Sequence, residues 1–205
     1  ALVNLLGPAK EVSGRIVKGI NYRTIGVGPN KGKNFNVKCP TTYLSTIVFK
    51  NNTVIRITLS FDVVAHQRNH IELYGKKGSL IVPDPNMFGG SVFVCKKLGD
   101  SWKEFKTTKK SLGKINIKTQ SSRANESPTN ANYRGAGLSE MAYCIEKRKK
   151  HKCNGELSLH VLDIIESTMK ASISGVSQKI KTKCKKPNKF TEKEIKKILI
   201  WLNKI

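Results

Sequence analysis

Four side chains able to bind a metal lie close together in the sequence: Cys144, His151, Cys153 and His160. A structural zinc site needs its ligands in pairs at short fixed spacing, and no Cys-x-x-Cys pair is present. Cys144 and His160 also fall on separate helical patterns, so no metal is expected there. His160, beside Leu157 and Val161 on an apolar face, reads as a core histidine with its ring nitrogens hydrogen-bonded. His66 and His70 flank a strand end near Asp62; His66 stays open between a pocket-lining and an ordinary exposed side chain. Gly26-Val27-Gly28-Pro29-Asn30-Lys31-Gly32 has the look of a phosphate-cradling loop. Its glycine spacing is wrong for one, Pro29 would sit inside the phosphate turn, and no helix follows. A surface loop is the better reading. No Gly-x-Ser-x-Gly elbow, P-loop or His-Glu-x-x-His pair occurs, so the chain holds no self-sufficient catalytic set. The five cysteines are odd in number and widely spaced, which favours free thiols in a reducing, cytoplasmic setting.

Something must position these groups, and the composition says what kind of scaffold. The 205 residues carry a formal charge of +24, yet 38% are apolar, too many for a disordered polycation. The charge comes from 31 lysines against 7 arginines, spread over nearly every segment. Arginine is the residue that reads phosphates and bases in bidentate fashion, and it is scarce. Specific nucleic-acid binding is therefore not expected. Neither is a membrane span, since no apolar run approaches the ~18 to 20 residues required. No basic leader opens the chain, so no signal peptide is expected.

The patterning predicts an α+β domain. Residues 1–6 read as the last turns of a helix cut short before Gly7-Pro8. Residues 10–107 read as strands. Segments 44–50 and 53–63 flank Asn51-Asn52, a hairpin turn. In the second, Ile55, Ile57, Leu59, Phe61 and Val63 are expected to face the core, with Arg56, Thr58, Ser60 and Asp62 opposite. Segments 70–74 and 79–82 flank Gly75-Lys76-Lys77-Gly78, a further hairpin. Residues 91–97 and 102–107 complete an open, mostly antiparallel sheet with helices packed on one face. Residues 108–132 form a polar loop or insertion, with 115–117 a possible edge strand. A helix follows with Leu138, Met141, Ala142 and Ile145 as its buried stripe. Asn154 caps the next helix, which buries Leu157, Val161, Ile164, Ile165 and Met169 and ends at Gly175. A last helix starts at a Thr191/Glu194 capping box and buries Ile195, Ile198, Leu199 and Leu202.

Several of these segments, taken in order, resemble the C-terminal domain of the Gfo/Idh/MocA family of NAD(P)-dependent oxidoreductases. They are Ala1 to Pro8 with Val12-Ser13-Gly14; Pro40-Thr41-Thr42; Ser60-Phe61-Asp62-Val63; Ile71-Glu72-Leu73-Tyr74-Gly75 with Gly78-Ser79-Leu80; Val82-Pro83-Asp84-Pro85-Asn86 with Phe88-Gly89-Gly90; Tyr133-Arg134-Gly135-Ala136-Gly137-Leu138; and Asn154-Gly155-Glu156-Leu157 with Leu159-His160-Val161-Leu162-Asp163. The resemblance covers residues 1–187 as one substrate-binding and oligomerisation domain, with 188–205 as a helical extension. It implies a two-domain enzyme acting on a sugar, cyclitol or related polyol. NAD or NADP would be bound by an N-terminal Rossmann domain absent from this chain, with no metal and no catalytic residue here. The resemblance also implies a homo-oligomer through the sheet. In the family the stretch before the first late helix reaches the pocket, which makes Asn132, Tyr133 and Arg134 the substrate-binding candidates. His66 is a weaker fourth. The alternative is a non-catalytic basic module that binds polyanions or nucleic acid. The fragment alone is expected to be inactive.

Overall fold

The structure, a computed structural model, describes residues 1–107, 111–116 and 131–202. In chain order its elements are α1 (Leu2–Leu6), β1 (Ala9–Val17), β2 (Tyr22–Thr24), β3 (Asn34–Asn36), β4 (Thr42–Phe49), β5 (Val54–Ser60), β6 (Ile71–Gly75), β7 (Gly78–Val82), β8 (Ser91–Cys95) and β9 (Lys103–Lys106). A single 3-10 turn (Ser111–Gly113), α2 (Ala136–Glu146), α3 (Gly155–Ser174), β10 (Gln178–Lys179) and α4 (Glu192–Leu202) follow. The fold is α+β, and every pairing between named strands is antiparallel. The strands divide among three sheets, in the orders β10-β1-β4-β5, β2-β3 and β6-β7-β8-β9. Two compact units result, Ala1–His66 with Cys153–Pro187, and Gln67–Lys152 with Asn188–Ile205.

In the first unit α3 covers one face of the sheet led by β1. Val12 pairs with Ile47, and Ile47 with Ile55, so one apolar row crosses three strands. Val3, Ala9, Val12, Ile47, Phe49 and Ile164 form the buried cluster beneath the helix. Gly14 lets β1 and β4 close up, because a Cβ there would lie 2.5 Å from the Leu44 carbonyl oxygen. Asn154 caps α3 by accepting from the Leu157 N–H at 3.2 Å, and Gly175 ends it with φ +73°.

The helix is locked by polar groups as well as by apolar ones. His160 is fully buried. Its Nε2 accepts from the Ala9 N–H at 2.9 Å, and its Nδ1 lies 2.9 Å from the Thr182 hydroxyl. Burial holds its pKa below the ordinary 6.5, against the opposing pull of Thr182 and Asp163. Asp163 accepts from the Lys181 and Thr182 N–H groups at 2.9 and 2.8 Å and from the Ser167 hydroxyl at 3.1 Å. Burial opposes its charge, but these donors outweigh it and keep the carboxyl below its usual range.

In the second unit β6, β7, β8 and β9 form a meander. α2 packs against α4. The Thr191/Glu194 capping box forms as expected: Glu194 N–H donates to Thr191 Oγ1 at 3.2 Å, and Thr191 N–H to Glu194 at 2.7 Å. Ile198 is buried on the face of α4 that the spacing assigns to the core.

Four expectations need correction. β5 stops at Ser60, and Leu59, Phe61 and Val63 are more than half exposed. Past Ser60 the chain turns, because Asp62 N–H donates to Ser60 Oγ and the Asp62 carboxylate accepts from Thr41 and Thr42. In α2 the two ends of the apolar stripe are outward: Leu138 and Ile145 are exposed and Met141 and Ala142 half-buried, while Ser139, Glu140 and Cys144 are buried. In α3 the buried face is His160, Ile164, Ser167, Thr168 and Ala171, with Val161 and Ile165 exposed. Of the edge strand at 115–117, Ile115 lies exposed and outside any strand, and residue 117 lies outside the described residues, as do 108–110 and 118–130 of the polar loop.

Candidate functional site

The segment entering α2 gathers three of the four candidate residues in the second unit. Ala131 is buried and forms an antiparallel bridge with Phe88. Asn132 N–H donates to Asn116 Oδ1 at 2.7 Å while Asn116 Nδ2 donates to the Asn132 carbonyl at 2.7 Å, so an amide side chain takes the place of a neighbouring strand. The Asn132 side chain accepts from the Arg134 N–H at 3.2 Å, an Asx turn that aims the chain into the helix. Tyr133 is buried, with its hydroxyl donating to the Lys114 carbonyl at 3.1 Å and its ring edge-on to Phe88 at 5.8 Å. Its hydroxyl is thus engaged internally.

Arg134 lies exposed and donates through Nη1 and Nη2 to the Asn86 side chain and carbonyl, at 3.3 and 3.2 Å. Two of its five N–H donors are used in this way. Asn86 is itself set by Asp84, whose carboxylate accepts its N–H at 2.9 Å. Two glycines then reverse the chain: Gly89 and Gly90 take φ +81° and +91°, and a Cβ on Gly90 would lie 2.8 Å from Pro83. The loop at 82–90 therefore meets the segment at 131–134 through Asn86 on Arg134 and through Phe88 on both Ala131 and Tyr133. Together they make a rim of amide and guanidinium donors suited to hydroxyl or carboxylate groups. His66 is exposed on the irregular segment after β5 and belongs to the other unit.

A second concave feature was missed by sequence reasoning. Between α2 and α4 lies a cleft of about 320 Å³, walled by Glu140, Tyr143, Lys152, Phe190, Glu194 and Lys197 among others. Glu140 is buried and accepts from the Lys152 N–H at 3.1 Å and from the Cys144 thiol at 3.4 Å. Burial and then Glu140 push the Cys144 thiol pKa up, so it stays protonated. Nothing in the spacing marks Glu140 as buried; its partner is a backbone group twelve residues on.

The glycine loop at 26–32 does not form a phosphate cradle. Gly26, Gly28 and Gly32 sit in the loop joining β2 to β3, where a Cβ on any of them meets nothing within 4 Å and no helix N-terminus follows. Among the described residues no group of three His, Cys, Asp or Glu side chains gathers to hold a metal. None of their helices is long and apolar enough to cross a membrane.

No family model and no curated protein matches the chain. Solved structures do. Levoglucosan dehydrogenase in complex with NADH and L-sorbose matches over 88% of this chain and 48% of its own, at 14% identity and a TM-score of 0.62. An oxidoreductase from Agrobacterium radiobacter in complex with NAD+, L-tartaric acid and magnesium matches over 87% and 45%, at 11% identity and 0.59. The chain has their fold. It spans less than half the length of either. The transcriptional regulator Gal80p from Kluyveromyces lactis shares the same fold, at 11% identity and a TM-score of 0.54 over 87% of this chain and 42% of its own. The α+β architecture implied by the resemblance is therefore present. That one fold serves both oxidoreductases and a regulator means the architecture alone does not decide the activity.

Proposed function

We propose that this chain is the substrate-binding and oligomerising half of an NAD(P)-dependent oxidoreductase of the Gfo/Idh/MocA kind, acting on a sugar, cyclitol or related polyol. The observation that carries this reading is the likeness to oxidoreductases over 87–88% of this chain but under half of theirs. Nicotinamide binding would belong to a separate Rossmann domain, and the fragment alone would turn nothing over. What this chain supplies is orientation. Arg134 and Asn132 present donors to substrate hydroxyls, and Tyr133 anchors the segment through Lys114 and Phe88. The rival, a polyanion-binding module, would gather cations on one continuous surface; the lysines lie on elements of both units, from Lys10 in β1 to Lys197 in α4.

The test is to express the full coding frame that contains this chain and assay NAD(P) reduction with a panel of sugars and cyclitols. Turnover is expected, and Arg134→Ala should raise KM about tenfold or more, the effect of losing a hydrogen bond from a charged donor. A frame with no dinucleotide-binding unit, or one that reduces neither cofactor on any of these substrates, would overturn the proposal.

A further inference from the structure

We propose that the cleft between α2 and α4 binds a small, highly charged phosphate compound of the di- or triphosphate class. This inference is independent of the oxidoreductase reading. Five lysines line the cleft against two glutamates. Both carboxylates are already occupied by protein donors. Glu140 accepts from the Lys152 N–H and Cys144, and Glu194 from the Thr191 N–H and hydroxyl at 2.7 and 2.9 Å and from Lys152 Nζ at 3.2 Å. The net lining charge of three therefore calls for an anion of similar magnitude. The raised pKa of Cys144 keeps that thiol from adding a negative charge.

The ammonium groups are partly pre-positioned, which lowers the entropy lost on binding. Lys152 Nζ sits 4.6 Å from the centre of the Phe190 ring. Lys197 Nζ sits 5.4 Å from that of Tyr143 and donates to its hydroxyl at 3.1 Å. The backbone is also bent to bring cations in. Arg148 takes φ +51°, a left-handed position normally given to glycine, and Lys149 N–H returns to the Cys144 carbonyl at 2.7 Å. Lys149 and Lys152 consequently line the cleft instead of continuing along the helix axis. A volume of about 320 Å³ suits a di- or triphosphate and is too small for a dinucleotide. A concave site between two helices also fits a compact anion better than an extended nucleic-acid backbone.

The experiment is calorimetric titration of the 205-residue chain with inorganic tripolyphosphate near physiological salt. Saturable binding is expected, weakened about tenfold by Lys193→Gln or Lys197→Gln. The double variant Lys76→Gln/Lys77→Gln removes twice the charge at the exposed β6–β7 turn and should change affinity by about twofold or less. Lys149→Gln, which supports neither ring, reads the same effect should Lys197→Gln disturb folding. Absence of saturable binding overturns the proposal, and so does equal weakening by the turn variant, which would mark the attraction as a property of net charge.

Discussion

At the scale of single residues, the best-determined group in the molecule is His160, and its neutrality has a measurable consequence. The folded state resists protonating it because the ring is buried and its Nε2 lone pair accepts from Ala9 N–H. The unfolded chain meets no such resistance and takes up a proton below about pH 6.5. A group with a depressed folded pKa contributes fully above its unfolded value, and that contribution drains away as pH falls toward the folded one. Unfolding free energy should therefore decline between pH 7 and 5. His160→Gln retains an acceptor but cannot titrate, so its decline over that interval should be shallower. His160→Leu orphans the Ala9 N–H and should cost about 1–3 kcal/mol in denaturant melts at pH 7. Parallel pH profiles for the unmodified chain and His160→Gln would refute this account. Arg134 teaches the complementary lesson. It is exposed, as a ligand contact must be, but its tie to Asn86 could not be read from a sequence in which 48 residues separate the pair.

At the scale of elements, the β6–β7 hairpin isolates what a turn demands. Gly75 and Gly78 face each other across it. A Cβ on Gly78 would lie 2.4 Å from the Cys95 carbonyl oxygen with φ at +131°, whereas one on Gly75 meets only the Gly78 oxygen at 3.6 Å. Gly78→Ala should thus cost about 2–4 kcal/mol and Gly75→Ala about 1 or less, as read by urea midpoints. Similar losses at both would show that β8 can move away from the turn. Local signals of this sort were legible: the hairpins at Asn51-Asn52 and 75–78, the Asn154 cap, the Gly175 stop and the Thr191/Glu194 box all depend on residues a few positions apart. What was not legible depends on distant partners. α2 turns Ser139, Glu140 and Cys144 inward because Lys152 supplies a donor to Glu140, so a polar face wins over the Leu138/Ile145 stripe that periodicity favours. β5 loses the last three residues expected of it, Phe61 to Val63, because Thr41 and Thr42, far upstream, capture Asp62. The rim at Arg134 was placed by resemblance, and its geometry by the double glycine at 89–90.

At the scale of the whole molecule, one quantity dominates the electrostatics. A formal charge of +24 on 205 residues means cations repel over every surface, and the few acceptors near them are local. Ion pairs such as Lys152–Glu194 and Arg23–Asp62 attract over a few ångströms, at 3.2 and 3.8 Å, while the repulsion is summed over the entire chain. Salt acts on the two unequally. The Debye length is ≈ 10 Å at 0.1 M, so long-range repulsion is screened strongly and close pairs much less. In the unfolded chain the same charges are farther apart and repel less, so screening favours the compact state. Raising sodium chloride from about 20 to 500 mM should lift the thermal midpoint by several degrees, most of it gained below ~150 mM, where the Debye length shortens most. A fall in midpoint over that range would mean that exposed ion pairs outweigh the net repulsion. A rise confined to phosphate salts, absent in chloride of equal ionic strength, would instead point to occupancy of the lysine-lined cleft, because binding to the folded state raises the midpoint with the logarithm of ligand concentration above its Kd and not with ionic strength.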